Sequence, residues 1–137
     1  MFGGVRNLEM NERGKGFTLA ELLAVVAIIA VLVAVSIPIF SSQLDKARQA
    51  TDMANERAAK AAVLTLYYTT DLSITTGNWT FYSYDADSGK VFKETSSKPI
   101  YVKKGYGQAE EHKNQVVIVL MQYQNKQLVV KTAWVSL

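Results

Sequence analysis

The sequence predicts an α+β protein in which one long N-terminal helix, membrane-spanning and then amphipathic, packs against a small C-terminal antiparallel β-sheet. Three observations predict it. Phe17 to Phe40 is a predominantly apolar stretch with Glu21 as its only charge. Beyond Pro38, Phe40, Leu44, Ala47, Ala54, Ala58, Ala61 and Thr65 recur at three- and four-residue spacing, the period of a helix face. From Trp79 the pattern changes to short β-prone runs separated by turn residues.

Taken in order, residues 1–16 are polar and charged (Arg6, Glu9, Glu12, Arg13, Lys15), with Gly14 and Gly16 near the end, and read as a leader. Met10 is an alternative start that gives the shorter leader MNERGKG. Residues 17–40 as a helix extend about 36 Å at about 1.5 Å per residue, enough for a bilayer core of about 30 Å. Arg13 and Lys15 precede this segment, whereas the charges after it (Asp45, Lys46, Arg48) are mixed, so the positive-inside rule puts the N-terminus in the cytoplasm and the rest outside. Pro38 lacks an amide proton and is expected to kink the helix without ending it, because helical periodicity resumes beyond it.

Residues 41–69 continue as an amphipathic helix, the whole running from roughly 18 to 69. Asp45, Arg48, Asp52, Glu56 and Lys60 are read as its solvated face, with Glu56 placed four residues before Lys60 in the favourable order. Residues 70–137 form the β-sheet head. WTFYSY and KVFKE flank the turn-rich Asp85–Gly89 and suggest a hairpin, and PIYVK follows as a further strand-prone run. After the polar stretch KKGYGQAEEHKN, QVVIVLMQY and QLVVKTAWV make a second hairpin around Gln124, Asn125 and Lys126. Val116 to Met121 is apolar at every position, as in a strand with little exposed face, while Leu128, Val130, Thr132 and Trp134 share one side of the last strand. A sheet this small cannot bury enough surface alone, so it is expected to pack on the helix around Leu64, Leu66, Tyr67 and Tyr68.

Composition excludes much. A chain of 137 residues allows one small domain on an extended segment, and a net charge of +3 with interspersed acids leaves no strong global footprint for nucleic acid. Cysteine is absent, which removes disulfides, thiol catalysis and thiolate metal sites together. There is no Gly-rich phosphate loop and no serine with a histidine partner, so the chain reads as a non-enzyme without a cofactor. Asp85-Ala86-Asp87-Ser88-Gly89 has alternate carboxylates like the opening of a calcium loop, but the third acidic position and distal glutamate of that pattern are missing, and a hairpin turn accounts for it. His112, beside Glu110 and Glu111, is read as a surface-loop residue with no metal site around it.

The informative feature is Glu21. An ionised group inside a membrane segment is costly and demands a partner. A short basic leader ends in Gly16, an aromatic stands at Phe17, Thr18 and Glu21 lie close behind, and apolar sequence follows. Together these resemble the N-terminus of type IV pilins and pseudopilins. The resemblance implies cleavage by a membrane prepilin peptidase between Gly16 and Phe17, N-methylation of Phe17, and Glu21 as the family's glutamate at the fifth mature position. It matches Pro38 to the proline that breaks the helix in filament forms. It covers about residues 14–44 in detail and the rest only in plan. It implies storage in the cytoplasmic membrane as a single pass, then extraction by the pilus assembly machinery into an extracellular helical filament.

The physical reading agrees with it. Cleavage creates an ammonium at Phe17 near Glu21 of its own and neighbouring chains, and a charge pair tolerated in apolar surroundings fixes register. Ala20, Ala24, Ala27, Ala30 and Ala34 allow close helix approach. The rivals are a secretory signal cleaved near Ala34-Val35-Ser36, a permanently anchored extracellular binding module, and a minor pseudopilin of a secretion or DNA-uptake system. The absence of cysteine departs from the many Gram-negative major pilins that close a C-terminal loop with a disulfide, and points to Gram-positive pilins or pseudopilins. A last candidate lies in the head, where Lys98, Tyr101, Lys103, Lys104 and Tyr106 interleave base and aromatic as a DNA-contacting loop would, against the plainer reading of a solvated strand and loop.

Overall fold

The computed structural model describes residue 3 and residues 16–70, 74 and 76–137. The leader charges, from Arg6 to Lys15, and the alternative start at Met10 lie outside the described residues. Helix α1 runs Leu19–Thr69 and is continuous through Pro38. Alanine and leucine supply its propensity, and hydroxyls within it turn back onto carbonyls one turn earlier, Ser36 onto Leu32 and Thr51 onto Ala47. The chain divides after Phe40 into two compact units, residues 1–40 and 41–137.

In the first unit the large apolar side chains of α1 are exposed, from Leu19 at 75% to Phe40 at 71%. Length and composition make this end of α1 a candidate membrane span, and none of its apolar window is buried by the described residues.

The second unit joins the remainder of α1 to four strands, β1 (Thr80–Asp85), β2 (Lys90–Glu94), β3 (Gln115–Gln124) and β4 (Gln127–Ser136), with a short 3-10 turn at Glu110–His112. All neighbours are antiparallel in the order β2-β1-β3-β4. Both expected hairpins are present. Asp85 closes the first by accepting from the Asp87 amide (3.1 Å) and the Ser88 hydroxyl (2.5 Å), and Gly89 supplies the positive φ of 69° that the turn needs. Its carboxylate is thus occupied by its own turn. The second hairpin turns on Asn125 and Lys126, both at positive φ.

Register assigns the faces. Tyr82 opposes Val119, Val117 opposes Trp134 and Met121 opposes Val130, so these side chains share the face toward α1. There they pack with Ala59 and Val63 of the helix and with Tyr84, Val102 and Tyr106. As expected, Val116 to Met121 of β3 is buried apart from the half-buried Leu120, and Leu128, Val130 and Trp134 of β4 pack against this core.

Two expectations are corrected. PIYVK is not a strand: Pro99 has no amide proton to give a ladder, and the Ile100 and Tyr101 amides donate to the Glu94 carboxylate instead (3.1 and 3.3 Å). The helix meets the sheet only partly as expected: Leu64 and Tyr67 pack against the core, but Tyr68 and the small-residue stripe do not. Tyr68 is 77% exposed and the stripe Ala47, Ala54, Ala58, Ala61 and Thr65 is exposed, whereas Asp52, Ala59 and Val63 are buried. At about 100° per residue those two sets lie on opposite sides of α1.

Candidate functional site

At its N-terminus α1 begins with a reciprocal cap. Thr18 is the cap residue, its carbonyl accepting the first helical bond from Leu22 (3.1 Å). Its side-chain oxygen accepts from the Glu21 amide (3.2 Å), and the Thr18 amide donates to Glu21 Oε2 (2.9 Å). This is a capping box, in which two of the otherwise orphaned amides of the first turn are satisfied by each other's side chains. The carboxylate also faces the positive end of the helix dipole. Glu21 therefore has a partner within its own chain that the sequence analysis did not name, although Thr-x-x-Glu ahead of an apolar run is the legible signal for it. Gly16 and Phe17 precede the cap in extended chain, with Phe17 92% exposed. Thr18 and Glu21 are exposed as well, so a cleaved amine at Phe17 would arise about one turn from this carboxylate without displacing any packed group.

A second polar constellation ties the head to the helix. Asp52, expected on the solvated face, is only 2% exposed. Its carboxylate accepts from the Gln108 amide (2.7 Å) and the Ala109 amide (2.9 Å), and pairs with His112 Nδ1 (3.0 Å). The His112 ring stacks on Trp134, centroids 4.6 Å apart and planes 12° apart, and Trp134 Nε1 donates to Glu56 (2.6 Å). Asp52, Glu56 and His112 are thereby corrected from solvated residues to internal partners. The inward face of the helix carries acids because the loop amides and the indole N–H brought against it need acceptors. No local pattern announces this pairing across the chain.

The segment between β2 and β3 is anchored by Tyr106, whose hydroxyl donates to the Tyr84 carbonyl (2.8 Å) and accepts from the Val117 amide (3.0 Å). Burial pushes this phenol well above its ordinary range. Gly105 and Gly107 flank it because a side chain at either would strike the backbone of Asn114 or His112.

The candidate DNA residues divide. Tyr106 is core. Lys98, Tyr101, Lys103 and Lys104 are exposed, with Tyr101 stacked on Phe92 (5.7 Å, 19°) and Lys104 3.5 Å from Asp87. Among the described residues no group of three or more His, Cys, Asp or Glu is placed to hold a metal ion.

The prokaryotic N-terminal methylation motif matches residues 13–37. The major component PilA5 of the type IV narrow pilus of Thermus thermophilus is 46% identical over 50 residues, 36% of this chain and 43% of the relative. The match thus spans less than half of either protein. No solved structure matches.

Proposed function

We propose, from the premise that this chain belongs to the type IV pilin family, that it is a structural subunit of a type IV pilus or pilus-like filament. The observation that carries the reading is an apolar half-helix with no cover among the described residues, opening on a capping box whose carboxylate is the one charge in the apolar run. Prepilin peptidase cleaves after Gly16, and the new amine on Phe17 is methylated. In the membrane the capping box moderates the burden of the carboxylate, since a hydrogen-bonded acid at a helix N-terminus is better tolerated than a bare one. On extraction, helices of neighbouring subunits replace lipid around the apolar surface, and a neighbour's Phe17 ammonium meets Glu21. Pro38, the last of the candidate assembly residues, lies within the same helical stretch.

The test is the mass of the mature chain and the fate of a Glu21 variant. The expected product begins at Phe17 and is heavier by one methylene. Glu21→Ala is cleaved and exported normally but yields few or no filaments. A product beginning near Ile37 supports a secretory signal, and one beginning at Met1 or Met10 supports a permanent anchor; either overturns the proposal, as do abundant filaments from Glu21→Ala.

A further inference from the structure

The segment that follows β2 is built to hold exposed groups in place. Pro99 and Val102 are buried, while Ile100 and Tyr101 between them are exposed at 50% and 59%. Glu94, itself 4% exposed and accepting from the Ser83 hydroxyl (2.5 Å), clamps the amides of both presented residues. Ahead of them, Ser96 and Lys98 form a local turn through the Lys98 amide and the Ser96 hydroxyl (3.2 Å). One face of the Tyr101 ring rests on Phe92. An aromatic ring is thus displayed to solvent by a buried carboxylate, two buried anchors and an aromatic support, when a small polar residue would be simpler to solvate.

The charge along this stretch is mainly basic. Lys90, Lys98, Lys103 and Lys104 are all exposed, and the only acid between Lys90 and Lys104 is the internally satisfied Glu94. Asp87 meets Lys104 across solvent with both side chains mostly exposed, a pair that salt and a competing anion displace easily. From this arrangement we infer that the loop Lys98–Lys104, with Phe92 beneath it, is a binding site for single-stranded nucleic acid. Lysines flank the ring to meet successive phosphates, and the open face of Tyr101 takes an unpaired base. A merely anionic polymer, such as an acidic polysaccharide, would engage the lysines and have no use for the ring. A duplex would keep its bases stacked on each other and out of reach.

The inference does not depend on the filament reading, and the test separates the two. Full-length chain in detergent micelles is titrated at low salt against a fluorescent oligothymidine of about twelve nucleotides, a length within the range that single-strand sites cover. Binding is expected. Tyr101→Ala weakens it roughly tenfold, the loss of one base stack, and Tyr101→Phe restores it. Replacing Lys98, Lys103 and Lys104 together by Ala flattens the salt dependence by about two units of log–log slope, at about 0.7 per phosphate contact. Dextran sulfate binding is insensitive to Tyr101→Ala. Absent oligothymidine binding, or binding that Tyr101→Ala leaves unchanged, overturns the inference, as does a dextran sulfate affinity that falls in step. Circular dichroism of each variant verifies the fold. Filament yield from the same variants reports on assembly independently and is expected to stay normal.

Discussion

Removing Asp52 tests the most consequential buried contact in the head. Asp52→Ala deletes an acceptor that serves the Gln108 and Ala109 amides and His112, at 2.7, 2.9 and 3.0 Å. Hydrogen bonds to a charged acceptor are worth about 1.5–3 kcal/mol each, but three bonds to one carboxylate do not add independently. Gln108 is exposed and its amide recovers water, whereas Ala109 is 5% exposed and its amide does not. Counting about 1–3 kcal/mol for that orphaned donor and a similar amount for the rest gives an expected loss of about 2–6 kcal/mol. Against a total stability of about 5–15 kcal/mol that is a large fraction. The assay is urea unfolding of the full-length chain in detergent, followed by tryptophan fluorescence, because Trp134 stacks on His112 and reports directly on the latch. Asp45→Ala, a change at a carboxylate 64% exposed in a surface pair with Arg48, is the control and should move stability by well under about 1 kcal/mol. If Asp52→Ala costs no more than Asp45→Ala, the helix and the loop are not held together by this carboxylate.

Two further predictions concern buried tyrosines. Among the described residues the Tyr82 hydroxyl is buried without a partner, so Tyr82→Phe should leave the melting temperature unchanged or raise it, by up to the equivalent of about 1–2 kcal/mol; a clear loss in differential scanning fluorimetry would show that the hydroxyl has a role. Burial raises the pKa of both Tyr82 and Tyr106 above the ordinary value of 10.0. Above about pH 10 the unfolded state releases those protons while the folded state keeps them, so the unfolded state binds fewer protons and stability falls with rising pH. Each tyrosine contributes a slope of about 1.4 kcal/mol per pH unit in that window and nothing below it. Melting temperatures recorded from neutral to strongly alkaline pH should therefore hold level and then drop steeply. A curve that stays level beyond about pH 11 would contradict the burial of these phenols.

The sequence by itself determined whatever depends on neighbours along the chain. Helix α1 ends at Thr69 as its periodicity implied, because three- and four-residue spacing is a local property of the backbone. Both hairpins were legible from Asp85–Gly89 and from Gln124 to Lys126, since turns are specified by the few residues that tolerate them. The leader ending in Gly16, followed by Phe17, Thr18, Glu21 and the apolar run, carries the resemblance to type IV pilins, and the methylation motif matches residues 13–37 across that junction. Even the capping box was present as Thr18 and Glu21, awaiting only the geometry that joined them.

Only the tertiary structure decided which side of the amphipathic helix meets the sheet. A small-residue stripe and a charged stripe are both plausible inward faces when the partner surface is unknown. Here β4 brings the Trp134 N–H, and the loop before β3 brings two backbone amides and His112. Those donors must be satisfied once buried, so Asp52 and Glu56 turn inward and the alanines turn outward. The same logic converted PIYVK from a strand into a clamped loop, because the acceptor for its amides sits on Glu94, several residues earlier on a neighbouring strand. Donors and acceptors far apart in sequence find each other only through the fold, and no periodicity records that meeting.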